Sequence, residues 1–285
     1  MSAHPALPAD LEATVARALA EDVGIGDLTT QLVPADARCR ARVITREAAV
    51  LCGAAWAEAT FRLLDAQVRL SWHAADGDPL APGALLFEAA GPARALLTGE
   101  RTALNFLQTL SGTATVARRY VEAVAGTGCT ILDTRKTIPG LRLAQKYAVR
   151  CGGGRNHRIG LFDGILVKEN HIAAAGSIAA AVTAARALDA TVPVEVEVES
   201  LAELEQAFAA EADRALLDDF TLAEIREAVA RNRARRRPLR LEASGGVGLE
   251  RIRDVAASGV DYISVGALTK HVRAVDLSMR LELDA

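Results

Sequence analysis

The sequence predicts an α/β protein in two parts: a mixed α+β layer domain, then a small or incomplete parallel α/β barrel. Three observations carry that expectation. From residue 130 onward, six short apolar runs (near 130–132, 165–167, 194–198, 215–217, 239–243 and 262–265) alternate with segments of helical spacing. Repeated strand–helix units imply a parallel sheet with right-handed crossovers. Six units fall short of the eight of a complete barrel. Polar residues stand at the ends of these runs: Lys168, Glu197, Asp218 and Ser244. In α/β barrels the carboxyl ends of the strands converge on one mouth, which favours a barrel over an open doubly wound sheet.

Taken in order, Asp10 reads as an N-cap, with Leu11, Val15, Ala18 and Leu19 at helical spacing behind it. A turn at 24–27 precedes an extended stretch near 40–45 and a helix near 54–64. Strands follow near 68–72 and 84–89, separated by the turn-rich 76–83. Helices are expected over 96–110 and 113–125, which places the domain boundary near 105–112: a first domain over 1–110 and the barrel over 111–270. Within the barrel, helices are expected over 178–188, 201–210, 222–230 and 249–257. The run Val194-Glu195-Val196-Glu197-Val198-Glu199 is unusual for a parallel strand, which is nearly all apolar when both faces are buried. Either it borders solvent or its glutamates line a polar cavity, and the cavity is preferred because buried carboxylates need cations, water or hydrogen bonds.

Composition excludes several classes. The 285 residues suffice for a sizeable core, and no apolar stretch is long enough to span a bilayer. The N-terminus lacks the basic and apolar regions of a signal peptide, so a soluble, unexported chain is expected. Cys39, Cys52, Cys129 and Cys151 form no Cys-x-x-Cys pair, which fits a reducing cytoplasm. Net charge is −3, giving no bulk attraction to nucleic acid, and neither a nucleic-acid nor a membrane partner is expected. The basic run 231–237 reads as a solvated helix end. Of 33 basic residues only Lys136, Lys146, Lys168 and Lys270 are lysines. A lysine surviving that bias is a candidate for a compact ammonium that a planar guanidinium does not replace.

The chemistry concentrates in a few segments. Asp133-Thr134-Arg135-Lys136-Thr137 places two cations and two hydroxyls at a strand end, and Gly152-Gly153-Gly154-Arg155-Asn156-His157-Arg158 adds more cationic groups on a glycine-rich backbone. Arginine suits bidentate recognition of carboxylate or phosphate, and lysine acts as a point charge, so a polyanionic ligand is expected. Gly245-Gly246, with Ser244 adjoining, and Gly266 follow consecutive strands and suit phosphate binding through backbone N–H groups. Glu197 and Asp218 supply opposite charge, for Mg²⁺ on a phosphate ligand, for a developing positive centre, or for ion pairs with Lys136 or Lys168. His157 and His171 are each a site residue or a structural imidazole.

The segments Glu21-Asp22-Val23-Gly24-Ile25-Gly26-Asp27-Leu28-Thr29, Glu100-Arg101-Thr102-Ala103-Leu104-Asn105 and Thr134-Arg135-Lys136-Thr137-Ile138-Pro139-Gly140 resemble the quinolinate phosphoribosyltransferase family. So do Gly152–Arg158, Lys168-Glu169-Asn170-His171 and Glu242-Ala243-Ser244-Gly245-Gly246, in order and over nearly the whole chain. The resemblance implies an N-terminal α/β sandwich, an incomplete α/β barrel, and a tail (271–285) returning toward the first domain. It also implies a homodimer or larger homo-oligomer with shared sites. The implied reaction moves phosphoribose from phosphoribosyl pyrophosphate to quinolinate with decarboxylation, giving nicotinate mononucleotide, pyrophosphate and CO2 for NAD biosynthesis.

By resemblance, Arg135, His157, Arg158 and Lys168 receive the quinolinate carboxylates, and Arg101 enters from a neighbouring subunit. Lys136, Glu197 and Asp218 handle phosphoribosyl pyrophosphate and Mg²⁺, with Thr134 beside them. The backbones of Ser244, Gly245, Gly246, Val265, Gly266 and Ala267 hold phosphate. Lys136, Lys168, Glu197 and Asp218 are the expected catalytic set. Two positions depart from the family pattern: Lys270-His271 where His-Ser is common, and Asp219 where Asn is common. The rival readings are a sister enzyme acting on another heteroaromatic acid and a non-catalytic anion-binding barrel.

Overall fold

The computed structural model describes residues 5–189 and 191–283, and the chain forms two compact units. One unit takes the chain up to Arg118, Thr137–Gly153, and the chain from Leu268; the other takes Arg119–Lys136 and Gly154–Ala267.

The first unit begins with α1 (Leu11–Val23), which buries Leu11, Val15 and Leu19 as its spacing requires. Asp10 precedes it, but its carboxylate makes no capping bond and instead accepts from the Thr14 hydroxyl. Strand β1 (Arg38–Thr45) alternates strictly, with Cys39, Ala41, Val43 and Thr45 inward and Arg38, Arg40 and Arg42 outward. After the short β2 (Ala49–Val50), Gly53 takes φ +113° at the start of α2 (Ala54–Leu64). A Cβ there would press on the Leu107 main chain, so glycine lets the helix approach closely. Strands β3 (Arg69–Trp72), β4 (Pro79–Leu80) and β5 (Leu85–Pro92) follow.

Helix α3 (Ala93–Ala123) runs unbroken for 31 residues, where two helices were expected. The sequence break at Ser111-Gly112 serves packing instead. The Ser111 hydroxyl accepts from Cys52 N (2.9 Å) and donates to Cys52 O (3.1 Å), and a Cβ at Gly112 would collide with Arg273 O. Small residues inside a helix here admit a neighbouring chain.

Beyond α3 come β6 (Thr130–Leu132), α4 (Arg142–Cys151), β7 (Ile165–Val167), α5 (Glu169–Ala175), α6 (Ile178–Leu188), β8 (Val194–Val198) and α7 (Leu201–Ala209). The chain continues through β9 (Arg214–Asp218), α8 (Leu222–Arg233), β10 (Arg240–Ser244), α9 (Ile252–Ala257), β11 (Tyr262–Ser264), α10 (Ala267–Lys270) and β12 (Leu277–Leu283). Ser200 and Thr221 cap α7 and α8 by accepting main-chain N–H bonds, Thr221 in a reciprocal capping box with Glu224.

In the first unit β12, β1, β5 and β3 form an antiparallel sheet in that order, with Cys39 opposite Leu283 and Thr45 opposite Leu277. Its inner face packs Val43, Phe87 and Leu86 against Phe61, Leu96 and Leu107. A second cluster gathers Val15, Trp56, Phe106, Leu110 and Tyr147.

The other unit is a six-stranded parallel sheet in the order β6-β11-β10-β9-β8-β7. The first strand, β6, pairs with the last, β11, so the sheet curls as a barrel does. Among the described residues β6 and β7 do not pair, and only a parallel bridge between Leu132 and Arg155 flanks β6 there. This is the incomplete parallel α/β barrel that six strand–helix units imply. Among the described residues no single helix is long and apolar enough to cross a membrane.

Candidate functional site

The strands of the parallel sheet deliver polar side chains at their carboxyl ends. Thr134, Arg135 and Lys136 follow β6, Lys168 follows β7, Glu197 is the penultimate residue of β8, and Asp218, Ser244 and Ser264 end β9, β10 and β11. With His157 and Arg158 from the segment before β7, they line one cavity of about 240 Å³. Leu166, Leu216 and Glu242 complete the lining. Nine of the residues expected from sequence thus converge: Thr134, Arg135, Lys136, His157, Arg158, Lys168, Glu197, Asp218 and Ser244.

Buried Asp133 organises one wall. Its carboxylate accepts from Asn156 Nδ2 (2.6 Å) and His157 N (2.9 Å), while its own N–H donates to Arg155 O (3.1 Å). The glycine-rich segment is thereby laid along the end of β6. Arg158 Nη1 donates to Gly164 O (3.2 Å). Burial, and then the like charge of Arg135, lower the Arg158 pKa. A guanidinium held beside a second one of like charge makes an anion-seeking wall.

In the same lining Lys168 Nζ contacts both oxygens of Glu197, at 3.0 and 2.7 Å. The Glu197 pKa is nonetheless raised, first by burial and further by the charge of Asp218, against the pull of Lys168. Cationic and anionic side chains therefore line one cavity.

The glycine loops behave differently from one another. Gly245 (φ +93°) and Gly246 (φ +57°) turn the chain after β10 in a conformation that disfavours other residues. Asp219, also at positive φ, folds over Gly245 and leaves no room for a Cβ. At Gly266 a Cβ would lie 3.0 Å from Lys136 Cδ and 3.6 Å from Thr134 Oγ1, so glycine keeps clear the space beside that lysine. Val265 is buried, its N–H bonded to Leu132 O, and Ala267 opens α10.

Arg101 stands exposed on α3 in the first unit, and Lys270 and His271 are exposed in that unit as well. His171 resolves as structural: its Nδ1 accepts from Lys168 N (3.0 Å) at the start of α5. Glu195 and Glu197 both turn toward charged partners inside the sheet, whereas Glu199, the third glutamate of the run, lies exposed beyond β8.

Sequence reasoning gave no role to Arg214 or Glu242, and none to Glu195 beyond lining a polar cavity. Glu195 Oε2 lies 2.8 Å from His157 Nε2, and Arg214 Nη1 lies 3.0 Å from Glu242 Oε2. Burial and the neighbouring Glu195 push Glu242 up to about 7, against His157, the Ser264 hydroxyl and Arg214. Burial disfavours the charged His157 ring, but the bond from Glu195 and the charge of Glu242 outweigh it and raise its pKa. The available signal was a charged residue inside the runs near 194–198 and 239–243, and another just before the run near 215–217. In the first unit, the buried group Cys52, Asp76 and Cys151 is accounted for by packing. There Asp76 accepts from Gly53 N, Ala54 N and Tyr147 Oη.

Comparison with known proteins agrees with this geometry. Residues 27–111 match the model of the quinolinate phosphoribosyl transferase N-terminal domain, and residues 113–280 match that of its C-terminal domain. The chain is 44 % identical over 264 residues to a probable nicotinate-nucleotide pyrophosphorylase [carboxylating] of Bacillus subtilis, covering 92 % of this chain and 90 % of that one. It is also 44 % identical over 275 residues to the nicotinate-nucleotide pyrophosphorylase [carboxylating] of Mycobacterium leprae, covering 94 % and 96 %. The solved nicotinate-nucleotide pyrophosphorylase of Francisella tularensis superposes with a TM-score of 0.94 at 48 % identity, covering 99 % of this chain and 100 % of that one.

Proposed function

The chain belongs to the quinolinate phosphoribosyltransferase family, and from that membership and its cavity we propose how it makes nicotinate mononucleotide from quinolinate and phosphoribosyl pyrophosphate. The observation that carries the reading is one cavity lined both by Arg135, Arg158 and Lys136 and by Glu197 and Asp218. A dicarboxylate and a polyphosphate need the first group, and an electron-poor ribose carbon is favoured by the second.

Arg135, Arg158, His157 and Lys168 receive the quinolinate carboxylates and aim the ring nitrogen at C1 of the ribose. The C1–O bond breaks, its electron pair leaving with pyrophosphate, and the nitrogen lone pair forms the new bond to C1. Lys136 offsets charge on the leaving group, while Glu197 and Asp218 stabilise the cationic character of C1. The N-substituted ring is cationic, so it can hold the electron pair left when the 2-carboxylate departs as CO2. That carbon then takes up a proton. The residues supply position and electrostatics, with no covalent nucleophile.

Glu197 and Asp218 would suit Mg²⁺ in donor chemistry: two carboxylates lining one cavity, with the Glu197 pKa raised first by burial and further by the charge of Asp218, offer hard oxygen ligands. Magnesium brought with phosphoribosyl pyrophosphate would neutralise charge on the departing pyrophosphate. Ser244, Gly245, Gly246, Val265, Gly266, Ala267 and Thr134 form the phosphate-binding edge of the same proposal. So does a homodimer in which Arg101, exposed on α3, is lent to the partner's cavity. Cytoplasmic placement completes it: the substrates are highly charged, and all four cysteines are free thiols.

The test is incubation with quinolinate, phosphoribosyl pyrophosphate and Mg²⁺, following nucleotide and CO2. Equal yields of nicotinate mononucleotide, pyrophosphate and CO2 are expected. Turnover of a different heteroaromatic acid with none of quinolinate would overturn the reading.

A further inference from the structure

Beneath His157 and Arg158 lies a charge network that the reaction steps above do not use. Glu242 of β10 is 0 % exposed and Glu195 of β8 is 5 % exposed. Carboxylates at that depth are strongly penalised unless cations and hydrogen bonds meet them. Arg214, the first residue of β9, meets both: Nη1 is 3.0 Å from Glu242 Oε2 and Nε is 3.8 Å from Glu195 Oε1. Strand register makes this possible, since Arg214 pairs with Glu195 across β8 and β9. The guanidinium also lies over the Tyr262 ring, 4.3 Å from its centroid, which fixes its plane.

The network ends on a histidine held at both nitrogens. His157 Nδ1 accepts from Arg158 N at 2.7 Å, so the ring proton belongs on Nε2. That Nε2 faces Glu195 Oε2 at 2.8 Å and Glu242 Oε2 at 3.6 Å. Arg214 and Glu195 do not line the cavity at the carboxyl ends. They line a second cavity of about 430 Å³, toward the amino ends of the strands, and His157 and Arg158 border both. The imidazole is therefore a partition, oriented from behind by charges and bonded in front to the main chain of Arg158.

We propose that Arg214, with Glu195 and Glu242, forms the positioning set for the dicarboxylate substrate. It locks the His157 ring and, through that ring, the main chain of Arg158 in the pose that receives the carboxylates. None of the three need touch the pyridine ring. This rests on the quinolinate reading and adds to it residues that act from behind the site. A fixed second layer of this kind is what holds binding groups to within a fraction of an ångström.

The experiment compares wild type, Arg214→Gln, Arg214→Lys, Glu242→Gln and the double variant Arg214→Gln/Glu242→Gln. It reads kcat, KM for each substrate, and quinolinate Kd by calorimetry. Arg214→Gln should raise the quinolinate KM and Kd by roughly tenfold or more, about the loss of one charged hydrogen bond. The KM for phosphoribosyl pyrophosphate should stay within about twofold, and Arg214→Lys should recover part of the loss. The double variant should be no worse than the poorer single one, because both act through one network. Nitrogen-15 shifts should put the His157 proton on Nε2 in wild type and lose that single form in Arg214→Gln.

Equal shifts in both KM values, or unchanged quinolinate affinity in a folded Arg214→Gln protein, would overturn the proposal. Should that variant fail to fold, Tyr262→Leu removes only the ring under the guanidinium, and unchanged quinolinate affinity there overturns it equally. Wild-type protein that binds no quinolinate contradicts the proposed function instead, so the two failures are distinguishable.

Discussion

Strands β1 and β8 carry the same alternation of charged and apolar residues and put it to opposite uses. In β1, Arg38, Arg40 and Arg42 point to solvent while Cys39, Ala41 and Val43 enter the core. In β8, the charged residues Glu195 and Glu197 point into the interior of a curled sheet, and Val194, Val196 and Val198 are buried too. A period of two fixes which residues share a face but not what lies on that face. The difference lies in where the partners are. The outward arginines meet theirs at the exposed surface, Arg38 with Gln67 and Arg42 with Glu88, whereas the inward glutamates are met inside the sheet by Lys168, His157 and Arg214. Alternation inside a parallel sheet, with cations at neighbouring strand ends, thus marks a polar cavity.

The sharpest way to break that contrast is to neutralise the inward charges at the strand ends. Glu197→Gln and Asp218→Asn should each lower kcat by about 100-fold or more while leaving the thermal transition in place, the scale of a lost electrostatic contact in a transition state. Full turnover of both variants at limiting Mg²⁺ would make these carboxylates structural.

A second test asks whether the cavity is complete within one chain. Arg101→Ala and Lys168→Ala should each be nearly inactive alone. Refolded together, about half the dimers are mixed, each with one intact and one doubly damaged site, so about a quarter of wild-type activity should return. Mixed dimers without recovery would assign Arg101 to its own chain.

A smaller effect concerns stability. Glu242 titrates at about 7 in the folded chain against an ordinary 4.5. Between those values the folded state holds more protons than the unfolded one. Its contribution is therefore full below 4.5 and is lost as pH rises through about 7. The raised His157 acts in the same direction, favouring folding at low pH and losing that contribution as pH rises through its folded value. Melting curves from pH 5 to 8 should fall by several degrees more for wild type than for Glu242→Gln. Parallel curves would show that Glu242 is already ionised throughout. The smallest effect is expected outside: Arg40→Ser and Arg42→Ser should change stability by less than about 0.5 kcal/mol and leave turnover alone. A large loss of activity in either would erase the contrast between the two strands.

Much of this was legible in the sequence, for stated reasons. Each strand of the parallel sheet announced itself as a short apolar run, and the polar residues ending β7 to β10 named the mouth before any coordinate did. Long-range pairing was not legible from local pattern, and only the family resemblance implied that the tail returns toward the first domain. Strand β12 pairs with residues more than 230 positions earlier, and no local pattern encodes such a ladder. Ser111-Gly112 looks like a helix break but is a notch for Cys52 and Arg273. Helix α4 went unmarked because Gln145 is one of its buried residues, and that side chain bonds Ile138 N and Thr269 O. Arg214, Glu195 and Glu242 lie on three different strands, and only lateral pairing of β8, β9 and β10 brings these charges into one network.

The central claim is that the cavity's surplus of cations exists for two carboxylates, and substrate choice tests it most directly. The measurement is kcat/KM for quinolinate and for nicotinate, each with saturating phosphoribosyl pyrophosphate and Mg²⁺. Removing one carboxylate leaves part of the Arg135, Arg158 and Lys168 group unpaired, so quinolinate should be preferred by about 10⁴-fold, the scale for a site built around a missing polar group. Comparable kcat/KM for the two acids would contradict the account.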